Sequence, residues 1–211
     1  MSDPMAIFKN EGVSFIDGLH DIGALKARRI DLWDIRDDDI IINTFPKSGT
    51  TWMLRLVSEM YPDLHWQLKP TNLATRPFCQ RKVMFGPWAD HVIGWRRFGI
   101  EDGVLHVTYE DMKTDLKSVS SQISQFLSRP IDDDQLNRAL NKSTFQLMKE
   151  AGDDDYFMPP RDETSWWAGE TFFRKGKIGD WKSHFTVAQN EMFDDKISRI
   201  LEENGVTLVY E

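Results

Sequence analysis

Cysteine is almost absent, with Cys79 the only one in 211 residues. No disulfide can close within the chain, a thiolate zinc cage is excluded, and a reducing compartment, the cytosol, is the expected location. Long apolar runs are lacking too. None approaches the roughly 18 to 20 residues that a membrane-spanning helix needs, and M-S-D-P-M-A at the N-terminus has no basic stretch leading into an apolar one. The expectation is a soluble protein with no membrane partner. Positive charge is in deficit: 26 Lys and Arg against 34 Asp and Glu leave a net charge of -8. That balance argues against nucleic acid as a partner, so an anionic ligand would need a local basic site. Repeats and low-complexity tracts are missing as well. What is present, 40% hydrophobic and 12% aromatic residues, suffices for one globular domain over residues 1–211.

Ile40, Ile41 and Ile42 form a β-branched run bounded by aspartates, which predicts a central parallel strand buried on both faces. Met53, Leu56, Val57 and Met60 then recur at helical spacing until Pro62. A second strand-then-helix unit is predicted at 104–109, followed by Leu116, Val119, Ile123, Phe126 and Leu127. Two such units imply an α/β fold with a parallel sheet flanked by helices. Between them, Pro87 opens a helix whose Trp88, His91, Val92 and Trp95 share a face, with Gly99 as its stop. Thr186 and Gln189 make a capping-box pattern for a last helix carrying Phe193, Ile197, Ile200 and Leu201, and Gly205 ends it. Residues 206–210 read as a final strand, 62–82 and 152–172 as loops, and the acidic clusters at 37–39, 132–134 and 153–155 as turns or helix starts.

The stretch T-F-P-K-S-G-T-T-W at 44–52 sits where the first strand gives way to a helix. Such a turn leaves the first helix amides unpaired and directs the positive end of the dipole outward, forming an anion site. Gly49 lets the backbone approach a ligand, Ser48, Thr50 and Thr51 add hydroxyl donors, and Lys47 supplies a mobile cation. The result is a P-loop-like strand-loop-helix phosphate site. It is not a Walker A loop, because Lys47 precedes the only glycine. A lysine at the leading edge can neutralise an oxygen that becomes a leaving group. Far downstream, Arg174, Lys175 and Gly176 form a compact cationic loop able to grip a second phosphate, the plain alternative being a solvated surface turn.

T-F-P-K-S-G-T-T-W closely resembles the 5′-phosphosulfate loop of the cytosolic sulfotransferases, and F-F-R-K-G-K-I-G-D-W-K-S-H-F-T at 172–186 resembles that family's C-terminal signature. Y-E-D-M-K at 109–113 and S-T-F-Q-L-M-K at 143–149 fall in family order between them. The resemblance implies transfer of a sulfuryl group from 3′-phosphoadenylyl sulfate (PAPS) to a hydroxyl or amine of a small molecule, with adenosine 3′,5′-bisphosphate (PAP) as product and no metal. It implies Lys47 as the catalytic cation and nucleotide contacts from Lys47, Ser48, Gly49, Thr50, Thr51, Trp52, Tyr109, Ser143, Phe145, Met148, Phe172, Arg174, Lys175 and Gly176. Trp52 and Phe145 offer flat faces for adenine. Lys182, Thr186, Val187 and Glu191 match the family's short dimerisation pattern, so a homodimer is implied, the other reading being a helix cap.

The resemblance covers most of 11–63 and 78–211, and the centre near 63–78 is shorter than in the family. The family's central segment carries a base histidine in a K-T-H-x-P context and an R-N-x-x-D pattern completing the 3′-phosphate site; neither pattern occurs here. His65 is the nearest substitute by position, whereas His91 and His106 lie in apolar helix and strand patterns, and His20 and His184 in surface or loop positions. Two further readings stand beside the enzyme. One is a domain that binds PAP or PAPS without transfer, or serves as a dimerising partner. The other is a phosphotransferase, since V-L-H-V-T-Y-E-D loosely resembles a magnesium site, although the Gly-Lys-Ser/Thr order is missing. The acceptor class is open; Trp66, Trp88, Trp166 and Trp167 are candidates for an apolar pocket.

Overall fold

Strands β1 (Ile7–Asn10) and β2 (Val13–Ile16) pair antiparallel, Ile7 opposite Ile16 and Asn10 opposite Val13. The computed structural model describes residues 39–45, 48–64, 87–151, 173 and 175–208, together with the backbone of these two strands. Helices follow in chain order: α1 (Thr50–Met60), α2 (Trp88–Arg96), α3 (Tyr109–Thr114), α4 (Leu116–Phe126), α5 (Asp133–Lys142), α6 (Phe145–Ala151), α7 (Val187–Phe193) and α8 (Arg199–Glu203). A five-residue π turn, Asp194–Ser198, joins α7 to α8, and 3-10 turns occupy Ile100–Asp102 and Asp180–Ser183.

The chain divides into two compact units. The first comprises Met1–Lys47, Leu68–Arg97 and Val187–Thr207, the second Ser48–Gln67, Phe98–Thr186 and Leu208–Glu211. In the first, α2 packs on α8, Leu201 and Ala89 are buried, and Trp88 stacks on Phe193 at 6.4 Å. Pro87 precedes α2 as expected, while the helix ends at Arg96, ahead of the expected Gly99 stop.

The second unit is built on α1 against α5. The i, i+3, i+4, i+7 spacing puts Leu56, Val57 and Met60 on one buried face, and each such side chain stabilises the unit by about 1.5–3 kcal/mol. Polar groups finish the contact: Gln135 Nε2 donates to the Met60 carbonyl at 2.6 Å, and Lys142 pairs with Glu59 at 2.9 Å. Tyr61 Oη donates to the Arg129 carbonyl at 2.8 Å just before Pro62, where α1 has ended. Asp132 and Asp115 cap α5 and α4, their carboxylates accepting from the Gln135 and Ser118 amides. The 132–134 cluster is thus a helix start, as its sequence implies.

Three expected strands join no ladder among the described residues. Residues 40–42 belong to no ladder among the described residues, and Ile41 is 66% exposed. At 104–109 the local signals compete: Thr108 Oγ1 accepts from the Asp111 amide at 3.0 Å while Asp111 Oδ2 accepts from the Thr108 amide at 2.9 Å. This capping box makes Tyr109 the first residue of α3. Of the strand expected at 206–210, residues 206–208 likewise join no ladder among the described residues. The expected loop at 152–172 lies outside the described residues, and of the one at 62–82 only 62–64, a turn, is described.

Candidate nucleotide site

Ser48 and Gly49 lead into α1, and Gly49 is its N-terminal cap at φ 107. That left-handed conformation suits glycine, and a Cβ there would lie 3.2 Å from Tyr109 Cδ2. The first turn of α1 carries no acidic residue to neutralise the dipole. Thr50 and Thr51 occupy that turn, half-buried, and Ser48 is exposed. Lys47 lies outside the described residues.

One turn into the helix, Trp52 meets Tyr109 edge to face, ring centroids 5.4 Å apart. Its indole Nε1 donates to the Ser143 carbonyl at 2.8 Å, a link across 91 residues of sequence. Three separate segments, 48–52, the start of α3 and the end of α5, are therefore brought together within the second unit. Ser143 is fully buried, and its hydroxyl has no hydrogen-bond partner among the described residues. A buried hydroxyl left unpaired costs about 1–3 kcal/mol, so it is suited to a ligand atom. Met148 is buried on α6.

The cationic loop lies in the same unit. Gly176 adopts φ 63, and a Cβ there would fall 2.5 Å from Cδ2 of Phe145. Phe145 also meets Phe173 edge to face at 6.0 Å. Lys175 Nζ pairs with Asp180 Oδ1 at 2.7 Å, so its ammonium is engaged within the loop. Phe172 and Arg174 lie outside the described residues.

Asp180, which the motifs do not single out, is the partner of Lys175. It stands inside G-D-W-K, and its signal is an acidic residue placed just beyond a glycine turn that follows a lysine. Other assignments also sharpen. The acidic pair of V-T-Y-E-D forms the first turn of α3, with Asp111 committed to the Thr108 cap. His65, Trp66, Trp166 and Trp167 lie outside the described residues, as does His20. His106 Nε2 is 2.8 Å from the Phe98 carbonyl, and His184 Nε2 is 3.0 Å from Asp180 Oδ2. In the first unit His91 meets the ring of Phe45 at 5.6 Å, and burial pushes its imidazole below the ordinary histidine range. Lys182, Thr186, Val187 and Glu191 are all exposed.

The start of α1, the buried Ser143 hydroxyl and Gly176 seated against Phe145 all lie within the second unit. Among the described residues no helix is long and apolar enough to cross a membrane.

Comparison with known proteins gives the family. The sulfotransferase-domain family profile matches residues 37–72 and 65–205. Human sulfotransferase 2B1 is 28% identical over 269 positions, covering 90% of this chain and 73% of that protein. Mouse sulfotransferase 2A2 is 41% identical over 133 residues, 59% of this chain and 46% of its own length. The crystal structure of mouse sulfotransferase SULT7A1 complexed with PAP superposes with a TM-score of 0.73 at 23% identity, covering 93% of this chain and 95% of that one, which shows a shared fold. The alignment with the human protein is longer than this chain, 269 positions against 211 residues, so that relative carries residues that this chain lacks. With a profile match spanning most of its length, this chain belongs to the sulfotransferase family.

Proposed function

We propose that the protein transfers a sulfuryl group from PAPS to the hydroxyl or amine of a small molecule, releasing PAP. The observation that carries this reading is the convergence of Gly49, Trp52, Tyr109 and the unpaired Ser143 hydroxyl in one unit. In it, the amides at the start of α1 and the hydroxyls of Ser48, Thr50 and Thr51 hold the 5′-phosphosulfate. Trp52 and Phe145 face the adenine, Ser143, Met148, Tyr109 and Phe172 lie near the base or its phosphates, and Arg174, Lys175 and Gly176 surround the 3′-phosphate. The acceptor oxygen or nitrogen bonds to sulfur as the bond from sulfur to the bridging oxygen breaks. Lys47 neutralises the charge growing on that oxygen, and the acceptor's proton passes to a base or to water. Transfer of this kind needs no metal. The parallel sheet flanked by helices, a single domain, a cytosolic location and a homodimer through Lys182, Thr186, Val187 and Glu191 belong to the same reading.

Transfer from a sulfate-labelled donor to phenols, alcohols and amines tests it. Labelled product is expected with at least one class, and Lys47→Ala should lower kcat by about 10²–10³-fold. The extra length of the relative's alignment favours a second reading, a domain that binds PAP or PAPS or pairs with a relative without performing transfer. Absence of product with every acceptor class, alongside retained PAP binding, would establish that reading instead.

A further inference from the structure

The dibasic loop presents its lysine in an unexpected role. Gly176 and Gly179 both adopt positive φ, 63 and 75, and these two turns fold the chain so that residue 175 meets residue 180. The Lys175 ammonium lies 2.7 Å from Asp180 Oδ1. Asp180 is the fixed member of this pair, with its side chain only 11% exposed. Ser183 Oγ donates to Oδ1 at 3.1 Å and to the Asp180 carbonyl at 2.8 Å, and His184 Nε2 faces Oδ2 at 3.0 Å. The carboxylate is thereby pinned on its own 3-10 turn, whereas the lysine brings a long, rotatable stem to it.

We propose that Lys175 is a positioning residue of the phosphate loop, closing residues 175–180 through Asp180 and so seating Gly176 against Phe145, instead of gripping the 3′-phosphate with its own ammonium. The inference rests on the proposed nucleotide site and refines the part that Lys175 plays there. Its physical basis is competition. An ammonium held at 2.7 Å by a pinned, largely buried carboxylate has one of its three donors committed and its charge partly neutralised, so it offers less to a phosphate. The two roles consequently predict opposite signs for the loss of Asp180. If Lys175 were a direct ligand, Asp180 would be its competitor, and neutralising it would tighten phosphate binding. If Lys175 positions the loop, neutralising Asp180 loosens the loop and weakens binding.

Calorimetric titration with PAP and with adenosine 5′-phosphate, which lacks the 3′-phosphate, separates the two roles in the wild type, Asp180→Asn, Lys175→Met and the double variant. Each single change should weaken PAP binding by about three- to tenfold, the double change no more than either, with adenosine 5′-phosphate unaffected. Lys175→Arg should retain wild-type affinity. In the ligand-free protein, amide exchange over 176–179 should rise in both single variants. Tighter PAP binding by Asp180→Asn, or weakening by Lys175→Met alone, would overturn the proposal, as would unchanged amide exchange. A folded wild type that takes neither nucleotide would reject the proposed site, and the exchange measurement would then decide the role of Lys175 by itself.

Discussion

Gly49, Trp52, Tyr109 and Ser143 are joined by half-buried and buried contacts, one of which spans 91 residues of sequence, whereas Lys175 and Asp180 are joined by an ion pair across five. The first cluster grows out of the packing that makes the unit: α1 lies on α5, and Trp52 reaches from one to the end of the other. The second is a loop that holds its own shape through charge, two positive-φ glycines and one aromatic ring. The contrast teaches that one end of the candidate site is inseparable from the fold, while the other can be loosened with the helical scaffold intact.

The largest effect should come at Gly176 against Phe145. Gly176→Ala introduces a Cβ at 2.5 Å from the ring and strains a residue at φ 63. A loss of about 2–4 kcal/mol in urea denaturation is expected, together with a marked fall in PAP affinity. Trp52→Phe comes next. It strands the buried Ser143 carbonyl for about 1–3 kcal/mol, and because no charge is involved, the loss should be the same at low and high salt. Asp180→Asn should be milder, below about 1 kcal/mol of stability, since Lys175 is half exposed, and that difference should vanish near 1 M salt. Equal salt dependence for the Trp52 and Asp180 variants would break the comparison.

The smallest effect concerns His91, in the other unit. Burial holds its folded pKa below the 6.5 of the unfolded chain. As pH falls through 6.5 the unfolded state takes up the proton first, so stability is fully present above that value and declines below it. His91→Phe should flatten the stability profile on the acid side, and an unchanged profile would remove the histidine from the account. Asp180→Asn and Trp52→Phe should leave that acid limb in place.

How much of this was legible in the sequence depended on whether one local signal stood alone. Leu56, Val57 and Met60 with Pro62 behind them define α1, and Pro87 marks the start of α2, because no competing pattern overlaps them. At 104–109 the strand pattern overlaps the T-Y-E-D capping box, and the cap prevails at Tyr109. In the last helix the π turn adds a residue to the usual period, and of the two adjacent residues on the expected stripe Leu201 is buried while Ile200 is 43% exposed. The site divides in the same way. Gly49, Trp52 and Ser143 could be named from the motifs, but the Trp52 bond to a distant carbonyl is a tertiary fact. The charge of Lys175 was readable, while its commitment to Asp180 depends on two glycine turns whose φ values no composition reveals.

The central claim is that these two differently built clusters form one nucleotide site, and calorimetric titration of the folded wild-type protein with PAP tests it most directly. The account predicts binding at about micromolar affinity or tighter, equivalent to about 8 kcal/mol, weakened both by Gly176→Ala and by Trp52→Phe. Absence of binding by a protein that unfolds cooperatively, or binding indifferent to both substitutions, would contradict it.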